Sequence, residues 1–299
     1  MNPSEQATAQ ALPYERLADA VQALLADPSV QVPARMVMPL PQGGSLFAMP
    51  AHDARLAMTK IITYTPGNVA ADRPAIQGDV LVFDVRTGER LAVLDGPTVT
   101  ARRTAAVSLL AARHLAAQPQ GPLLLLGAGV QARAHLEAFV QGLGVRQVFI
   151  CSRGAARAQA LCAHARQLGC DARVVASPQE VQTVCPLVLT CTVANGVVLA
   201  GALHPQVWLG AVGAFTPAMI EVDPALTREL ARAGRVVVDT ADAAHEAGDL
   251  LQAGLRPHSW QTLAQSLQSS PRPGCPVLFK SCGWAGWDLA AARLACPPP

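Results

Sequence analysis

A glycine-rich turn is the first stretch of this sequence whose residue types and spacing could do chemistry. Gly127-Ala128-Gly129-Val130-Gln131-Ala132 follows the apolar run Leu123–Leu126 and precedes an alanine-rich segment of helical character. It fits the pattern G-x-G-x-x-G/A, in which the first glycine permits a tight turn and the second lets a pyrophosphate approach backbone amides. An ordinary strand-to-helix turn would give the same letters. The context favours a dinucleotide site formed by Gly127, Gly129, Val130, Gln131 and Ala132.

The end of the next predicted strand bears on which dinucleotide binds. An NAD site usually has Asp or Glu there, which accepts hydrogen bonds from the ribose hydroxyls. Here Gln147–Cys151 runs into Ser152 and Arg153, with no acidic residue nearby. An arginine can bind a 2′-phosphate and stack on adenine, and Arg157 follows one helical turn later. We therefore predict NADPH in preference to NADH; the alternative is that Arg153 is a solvated residue at a helix start.

Three cationic residues stand in unexpectedly apolar or small-residue surroundings. Arg35 precedes MVMPL, Lys60 interrupts AMTKIIT, and Arg103 lies in TARRTAAVSLLAA. Each alone could extend its apolar stem over the surface and keep its charge in water. Together they could bind one carboxylate through charge-assisted hydrogen bonds. Both interpretations stay open here, because composition does not show whether the three residues converge.

Composition and charge narrow the classes of function. The chain has 299 residues, a formal net charge of +2 and no Lys/Arg run longer than Arg102-Arg103, so nucleic acid and anionic membranes gain no support as partners. No apolar stretch is long enough to span a bilayer, and the N-terminus lacks signal-peptide features. The eight cysteines form no CxxC pair, and the seven histidines show no metal-like cluster. We predict a cytoplasmic protein with reduced thiols and no metal.

The pattern of apolar residues divides the chain into two regions. A helical pattern at Tyr14–Leu25 is followed by short apolar runs between Gly, Pro and Asn, which favour an antiparallel sheet, and by a long helix reaching about Ala117. After a linker at 118–122, strands and helices alternate, as in a parallel α/β sheet. From Val277, a short strand and a final helix are predicted to return to the first region. The predicted strands of the second region are Leu123–Leu126, Gln147–Cys151, Ala172–Val175, Leu187–Thr190, Val207–Val212 and Arg235–Asp239.

Separated motifs along nearly the whole chain resemble one family, the ornithine cyclodeaminase/mu-crystallin superfamily. Their number, order and spacing make the resemblance specific. The matching stretches are Pro33-Ala34-Arg35, Met49-Pro50, Thr59-Lys60, Leu94-Asp95-Gly96, Thr100-Ala101-Arg102-Arg103-Thr104-Ala105-Ala106, Gly127 to Ala132, Ala211-Val212-Gly213-Ala214, Glu246-Ala247-Gly248-Asp249, Phe279-Lys280-Ser281-Cys282-Gly283 and Asp288 with Ala290-Ala291.

The resemblance implies an α/β fold with a Rossmann-type parallel-sheet domain at 118–276. A second, α+β domain for substrate binding and dimerisation would be built from both chain ends, 1–117 completed by 277–299, and the protein would be a homodimer. By the same resemblance, the substrate carboxylate would be bound by Arg35, Lys60 and Arg103. Thr104 would contact the cofactor phosphates, and the nicotinamide would be lined by the segments that contain Val212, Gly213 and Ser281.

One departure from the family bears on the reaction. The cyclodeaminases and related alanine dehydrogenases have an aspartate soon after the Val-Gly pair that corresponds to Val212-Gly213, and it handles the proton of the substrate amine. Here the stretch reads AVGAFTP, and Phe215 occupies that slot. Phenylalanine cannot exchange a proton, whereas an aromatic wall suits a neutral, preformed ring; a packing role unrelated to substrate is the alternative. Family members that lack the aspartate include ketimine reductases.

These features predict NADPH-dependent reduction of cyclic imino acids, from Δ1-pyrroline-2-carboxylate to L-proline. The six-membered Δ1-piperideine-2-carboxylate, which gives L-pipecolate, is a second expected substrate. Catalysis should be mainly positional, with Lys60 or a bound water as the candidate for proton delivery. Two alternatives remain: ornithine cyclodeamination with tightly held NAD, and a non-catalytic protein that binds a small ligand in an NADPH-dependent manner.

Overall fold

The computed structural model of the protein describes residues 3–71, 73–192, 195–269 and 274–298. Its α-helices are α1 (Pro3–Ala11), α2 (Tyr14–Leu25), α3 (Gly96–Leu115), α4 (Val130–Leu143), α5 (Ala155–Gln167), α6 (Pro224–Ala233), α7 (Gly248–Gln252), α8 (Leu263–Gln268) and α9 (Ala285–Ala295). Its strands are β1 (Met36–Pro39), β2 (Ser45–His52), β3 (Leu56–Tyr64), β4 (Ile76–Asp84), β5 (Arg90–Asp95), β6 (Leu123–Leu126), β7 (Gln147–Cys151), β8 (Asp171–Val174), β9 (Leu187–Thr190), β10 (Asn195–Leu199), β11 (Trp208–Ala211), β12 (Ile220–Val222), β13 (Arg235–Val238), β14 (Gln261–Thr262) and β15 (Val277–Lys280).

The chain divides into two compact units. One comprises Met1–Ala106 and Trp284–Pro299, and the other comprises Val107–Gly283. One junction lies inside α3 and the other lies shortly after β15, whereas the boundaries expected from the sequence were 117/118 and 276/277. The first difference has a simple cause, because α3 is one continuous helix whose first turns belong to one unit and whose later turns belong to the other.

The unit built from both chain ends contains a five-stranded antiparallel sheet in the order β1-β2-β3-β4-β5, as the sequence predicted. Side chains alternate between its faces. Along β3, for example, Met58, Lys60 and Ile62 are buried, whereas Ile61 is exposed. The buried face packs against α9, which also packs against α2. A lysine thus lies among apolar residues in the core of this unit.

The other unit is built on an eight-stranded parallel sheet in the order β14-β13-β15-β11-β9-β6-β7-β8. Three predicted strands match β6, β7 and β9 from end to end, and the other three agree with β8, β11 and β13 to within one residue at each end. The Rossmann-type prediction is therefore confirmed. In β6 and β9 all four residues are buried, which is typical of parallel strands covered on both faces.

The strand and helix predicted from Val277 onward were both expected to return to the first region, and for the strand this prediction was wrong. Only α9 returns to the first unit, whereas β15 lies inside the parallel sheet between β11 and β13. All four residues of β15 are buried, including Lys280, and such a continuous buried run suits a central parallel strand. The sequence patterns did not predict α1, β14 or the small parallel pair of β10 with β12.

Candidate functional site

A buried ion pair joins β3 to α9. The Nζ of Lys60 donates a hydrogen bond to Oδ2 of Asp288 at 2.9 Å, and the two side chains are 1% and 0% exposed. A charged group is costly to bury unless it has a partner, so each residue stabilises the other. The same Nζ lies 3.5 Å from Oγ1 of Thr100 in α3. Lys60, on β3, is therefore held by residues of α3 and α9 that belong to the same unit.

Arg103, in α3, adds a second cation to this pair. Its Nε lies 3.4 Å from Oδ1 of Asp288, and its side chain is 8% exposed. Neither Nε of Arg103 nor Oδ1 of Asp288 has a hydrogen-bond partner among the described residues. With Lys60 protonated, two cations face one carboxylate, so Asp288 balances only one of their two positive charges. The cluster is thus matched in charge to one further carboxylate.

The electrostatic field of the cluster includes Arg35. Burial lowers the pKa of Lys60 to about 8; Asp288 opposes this shift, whereas Arg103 and Arg35 add to it. Arg35 precedes β1 and is only partly buried. The structure therefore brings Lys60 and Arg103 together around Asp288, with Arg35 close enough to act on Lys60. Their contact with a substrate remains a prediction.

Asp288 is the residue of this cluster for which the sequence predicted no role. It lies in α9, which reads AGWDLAAARLA, and it is fully buried. An acid surrounded by Ala, Leu and Trp in a buried helix needs a cationic partner. The acidic residue in a mostly apolar helix was the sequence feature that could have indicated a buried ion pair. Only the fold identifies Lys60 and Arg103 as its partners.

The glycine turn has the geometry that a pyrophosphate requires. Gly127 has φ +114°, and a Cβ there would lie 2.6 Å from the carbonyl oxygen of Cys191, so only glycine fits. Gly129 is the residue before α4, no side chain caps the helix, and a Cβ on Gly129 would meet nothing within 4 Å. Ala132 is buried, as close packing of the helix on the sheet requires. The turn leaves open space before uncapped helix amides, which fits the phosphates of a dinucleotide.

The remaining residues of the predicted turn, Val130 and Gln131, open α4. Val130 is exposed, whereas Gln131 is partly buried. The backbone amides of the first helical turn suit an anion whatever side chains they carry. Contact of these two residues with a cofactor remains a prediction.

The residues predicted to select NADPH follow β7, the strand next to β6 in the sheet. Ser152 is partly buried, and its Oγ accepts a hydrogen bond from the amide of Gly154 at 3.4 Å. Arg153 and Arg157 are exposed, the latter in the first turn of α5. Because parallel strands end at the same edge of a sheet, these residues lie on the edge that carries the glycine turn.

The two segments predicted to line the nicotinamide also leave this edge side by side. Val212 and Gly213 follow β11, and Ser281 follows β15, its neighbour in the sheet. The amide of Ser281 donates to the carbonyl oxygen of Ala211 at 3.1 Å. The Oγ of Ser281 donates to Oδ2 of Asp239 at 2.9 Å. The structure thus brings these two segments together, whereas their contact with a cofactor remains a prediction.

Thr104 was predicted to contact the cofactor phosphates. Thr104 is buried in α3, and its Oγ1 donates to the carbonyl oxygen of Thr100 at 2.7 Å. Its contact with cofactor phosphates stays a prediction.

Among the described residues, no group of three or more His, Cys, Asp and Glu side chains is arranged to hold a metal ion. No described helix combines the length and the apolar character needed to cross a membrane.

Phe215 lies in the turn between β11 and β12 and is 43% exposed. The residues from Val212 to Met219 include no ionisable side chain. The next acid along the chain, Glu221, is fully buried, and both of its carboxylate oxygens accept hydrogen bonds. No carboxylate of this turn is therefore available to exchange a proton with a substrate amine.

Comparisons with known proteins agree with this architecture. A family model described as "Ornithine cyclodeaminase/mu-crystallin family" matches residues 5–296. The chain is 38% identical over 267 residues to Delta(1)-pyrroline-2-carboxylate reductase 1 of Burkholderia multivorans, covering 88% of this chain and 83% of that one. It is 35% identical over 275 residues to ketimine reductase mu-crystallin of Mus musculus, covering 90% of this chain and 85% of that one.

A solved structure shares the fold along almost the whole chain. Thermococcus litoralis Delta(1)-pyrroline-2-carboxylate reductase, in complex with NADH and L-proline, superposes with a TM-score of 0.88 at 21% identity. The match covers 97% of this chain and 94% of that one. By the family model and by its relatives in sequence, the chain belongs to the ornithine cyclodeaminase/mu-crystallin family.

Proposed function

We propose that the protein is a nicotinamide-dependent reductase of cyclic imino acids that converts Δ1-pyrroline-2-carboxylate to L-proline. The observation that carries the proposal is the buried cluster of Lys60, Arg103 and Asp288, in which two cations face one carboxylate and which therefore suits a substrate carboxylate. Relatives at 38% identity are named for reduction of this substrate, and one is named for Δ1-piperideine-2-carboxylate as well. That six-membered imine is the second expected substrate.

Reduction of the C=N bond adds a hydride to carbon and a proton to nitrogen. The reduced nicotinamide supplies the hydride. Lys60 and Arg103 bind the substrate carboxylate, and this fixes the position of the imine carbon next to it in the ring. A protonated imine already accepts hydride well, so binding and orientation are the main work of the protein. Lys60, which is an ammonium below its pKa of about 8, is the candidate for holding the transferred proton.

Ornithine cyclodeamination is disfavoured by the turn that contains Phe215. That reaction needs a group that takes a proton from the substrate amine, and no carboxylate of this turn is available. A substrate that enters as a preformed imine makes no such demand. The aromatic residue in place of an acid therefore supports imine reduction.

NADPH is the preferred cofactor in this proposal. Arg153 and Arg157 are exposed where β7 ends, and an acid that would bind the ribose hydroxyls of NADH is absent from the described segment Ser152–Arg157. The unit at 107–283 thus has the cofactor role. The unit built from both chain ends has the substrate role, as the resemblance implied.

A homodimer is supported by the outer face of the antiparallel sheet. Met36, Met38, Ile61 and Val93 are exposed on β1, β3 and β5, and the strand register places them on one face. Contiguous exposed apolar residues of this kind mark interaction surfaces. We assign this face to a second copy of the chain. The free thiols, four of them buried, suit a reducing compartment, and we place the protein in the cytoplasm.

A substrate panel tests the proposed function. The purified protein is assayed with NADPH and with NADH against the two cyclic imines, and in a separate assay with NAD+ for conversion of L-ornithine to proline and ammonium. We expect rapid loss of nicotinamide absorbance with Δ1-pyrroline-2-carboxylate and NADPH, with L-proline as product. If proline were formed from ornithine, the proposed imine reduction would be wrong and the activity would be ornithine cyclodeamination. Tight cofactor binding without turnover of any of these compounds would replace it by a binding function.

A further inference from the structure

One buried carboxylate accepts four hydrogen bonds near the carboxyl-terminal ends of two strands in the parallel sheet. Oε2 of Glu221 accepts from the amide of Gly213 at 2.6 Å and from Oγ1 of Thr190 at 2.9 Å. Oε1 accepts from the amide and from Oγ1 of Thr192, both at 2.7 Å. Glu221 is fully buried, so its charge is stabilised by these donors rather than by water.

The four donors lie at the ends of two adjacent strands or in the segments that follow them. Thr190 ends β9 and Thr192 lies just beyond it, whereas Gly213 follows β11. Gly213 has no room for a side chain, because a Cβ there would collide with the carbonyl oxygen of Thr192 and with the Glu221 carboxylate. Glu221 therefore fixes the backbone of both segments relative to each other.

Glu221 is itself anchored by a buried ion pair. Its amide donates to Oδ1 of Asp249 at 2.7 Å, and Oδ2 of Asp249 lies 2.9 Å from Nζ of Lys280. That Nζ donates to the carbonyl oxygen of Ala211 at 3.2 Å. All three charged side chains are fully buried. Burial disfavours the ammonium of Lys280, but Asp249, Cys282 and Glu221 together raise its pKa.

This network lies beyond the carboxyl-terminal ends of the parallel strands, next to the glycine turn. Gly127 approaches the carbonyl oxygen of Cys191, so the segment around Thr192 adjoins the glycine turn. The segments after β6, β9, β11 and β15 form a row along neighbouring strands, at the edge where doubly wound sheets bind their ligands. If the glycine turn held the pyrophosphate of a dinucleotide and the residues after β7 held its adenosine, the segments of this row would be the ones left to hold its nicotinamide half.

We propose that Glu221, supported by Asp249 and Lys280, is a positioning residue that sets the backbone around Thr192 and Gly213 for the nicotinamide half of the cofactor. This inference rests on the proposed cofactor. The carboxylate does not touch the reacting atoms; it acts through the two backbone segments that it joins. The adenosine half of the cofactor, bound at the other end of the row, should not depend on it.

The test compares a whole cofactor with its nicotinamide-free half. In Glu221→Gln, one acceptor oxygen becomes an NH2 group that faces donors, so the two segments lose their common partner. We expect the affinity for NADPH to fall about tenfold or more, because binding must then order two segments that have lost hydrogen bonds to a charged group. The affinity for 2′,5′-ADP should change less than about twofold. If the wild type prefers NADH, the pair becomes NADH and ADP-ribose.

Control variants complete this experiment. Glu229→Gln removes the same charge from an exposed position in α6 and should change neither affinity. Should Glu221→Gln fail to fold, Thr190→Val removes one of the four donors with little change in shape, and the same split is expected at about threefold. Equal losses for both ligands, or no loss for either, would overturn the inference. The readout is binding, so it is independent of whether Δ1-pyrroline-2-carboxylate is the substrate.

Discussion

The ammonium of Lys60 lies 2.9 Å from the carboxylate of Asp288, although 228 residues separate them in the chain. One residue belongs to β3 and the other to α9, so the pair exists only when both chain ends fold into the same unit. Because Arg103 shares the same carboxylate, Asp288 compensates part of the charge of two buried cations.

Replacing Asp288 by Asn should destabilise the protein strongly. The variant leaves Lys60 and Arg103 buried without a counter-ion, and removing one partner of a buried pair costs about 3–5 kcal/mol. Thermal and urea unfolding followed by circular dichroism measure the effect. Asp171→Asn, at an exposed position of β8, is the matched control and should change stability little. Equal stabilities of the two variants would mean that the cluster does not depend on Asp288.

Arg103→Ala should reduce kcat/KM for the imino acid by at least tens-fold. The variant leaves the substrate carboxylate without its bidentate partner, and loss of a buried charged contact costs about 2–5 kcal/mol. Arg103→Lys should rescue only part of the activity, since an ammonium does not reproduce the planar fork. NADPH affinity should change little. Steady-state kinetics beside Arg90→Ala, an exposed control in β5, checks this; near-normal kcat/KM in Arg103→Ala would remove Arg103 from the substrate site.

The pH dependence should report the titration of Lys60. Its pKa is lowered to about 8, mainly by burial, so the free protein carries the ammonium below this pH and loses it above. Carboxylate binding needs the ammonium, and kcat/KM should therefore fall as pH rises through about 8. In Lys60→Arg the fall should move to higher pH, because guanidinium does not titrate there.

The imine of the substrate also titrates, so the same profile should be measured with a planar analogue. Pyrrole-2-carboxylate has a ring nitrogen that stays neutral over this range, and its dissociation constant should rise above about pH 8 with the wild type. An affinity that is independent of pH between 7 and 10 would contradict the role of the Lys60 ammonium.

Arg153→Ser should weaken NADPH but not NADH. If the guanidinium binds the 2′-phosphate, its removal should raise the KM for NADPH about tenfold, whereas NADH carries no such phosphate. The ratio of kcat/KM values for the two cofactors measures the change. Arg232→Ser, at an exposed position of α6, should leave the ratio unaltered. An unaltered ratio in Arg153→Ser would show that Arg153 is a solvated residue.

Local patterns predicted the parallel strands and the glycine turn because the signal for each lies within a few consecutive residues. Leu123–Leu126 is a continuous apolar run, and the turn that follows it needs glycine at Gly127 for a steric reason. The burial of Val277–Lys280 inside the sheet was not visible in the same way. The apolar residues of this segment predict a strand, but the sheet that it joins depends on contacts with β11 and β13, which are distant along the chain.

Local sequence patterns could not predict which residues pair with the buried charged side chains. Lys60 and Arg103 stood out as cations in apolar surroundings, yet the carboxylate that joins them comes from the far end of the chain. Glu221 is a similar case, since nothing in the sequence around it reveals that Thr190, Thr192 and Gly213 converge on it. Contacts between distant segments depend on topology, which single residues do not encode.

Transfer of the nicotinamide hydrogen to the product tests the central claim most directly. The protein is incubated with Δ1-pyrroline-2-carboxylate and NADPH deuterated at both C4 positions, and the amino acid formed is analysed by mass spectrometry and by chiral chromatography. Direct imine reduction predicts L-proline that carries one deuterium at its α-carbon, formed in equal amount to the NADPH consumed. If no proline forms while NADPH remains bound and unoxidised, or if the proline carries no deuterium, the protein is not a reductase of this imine.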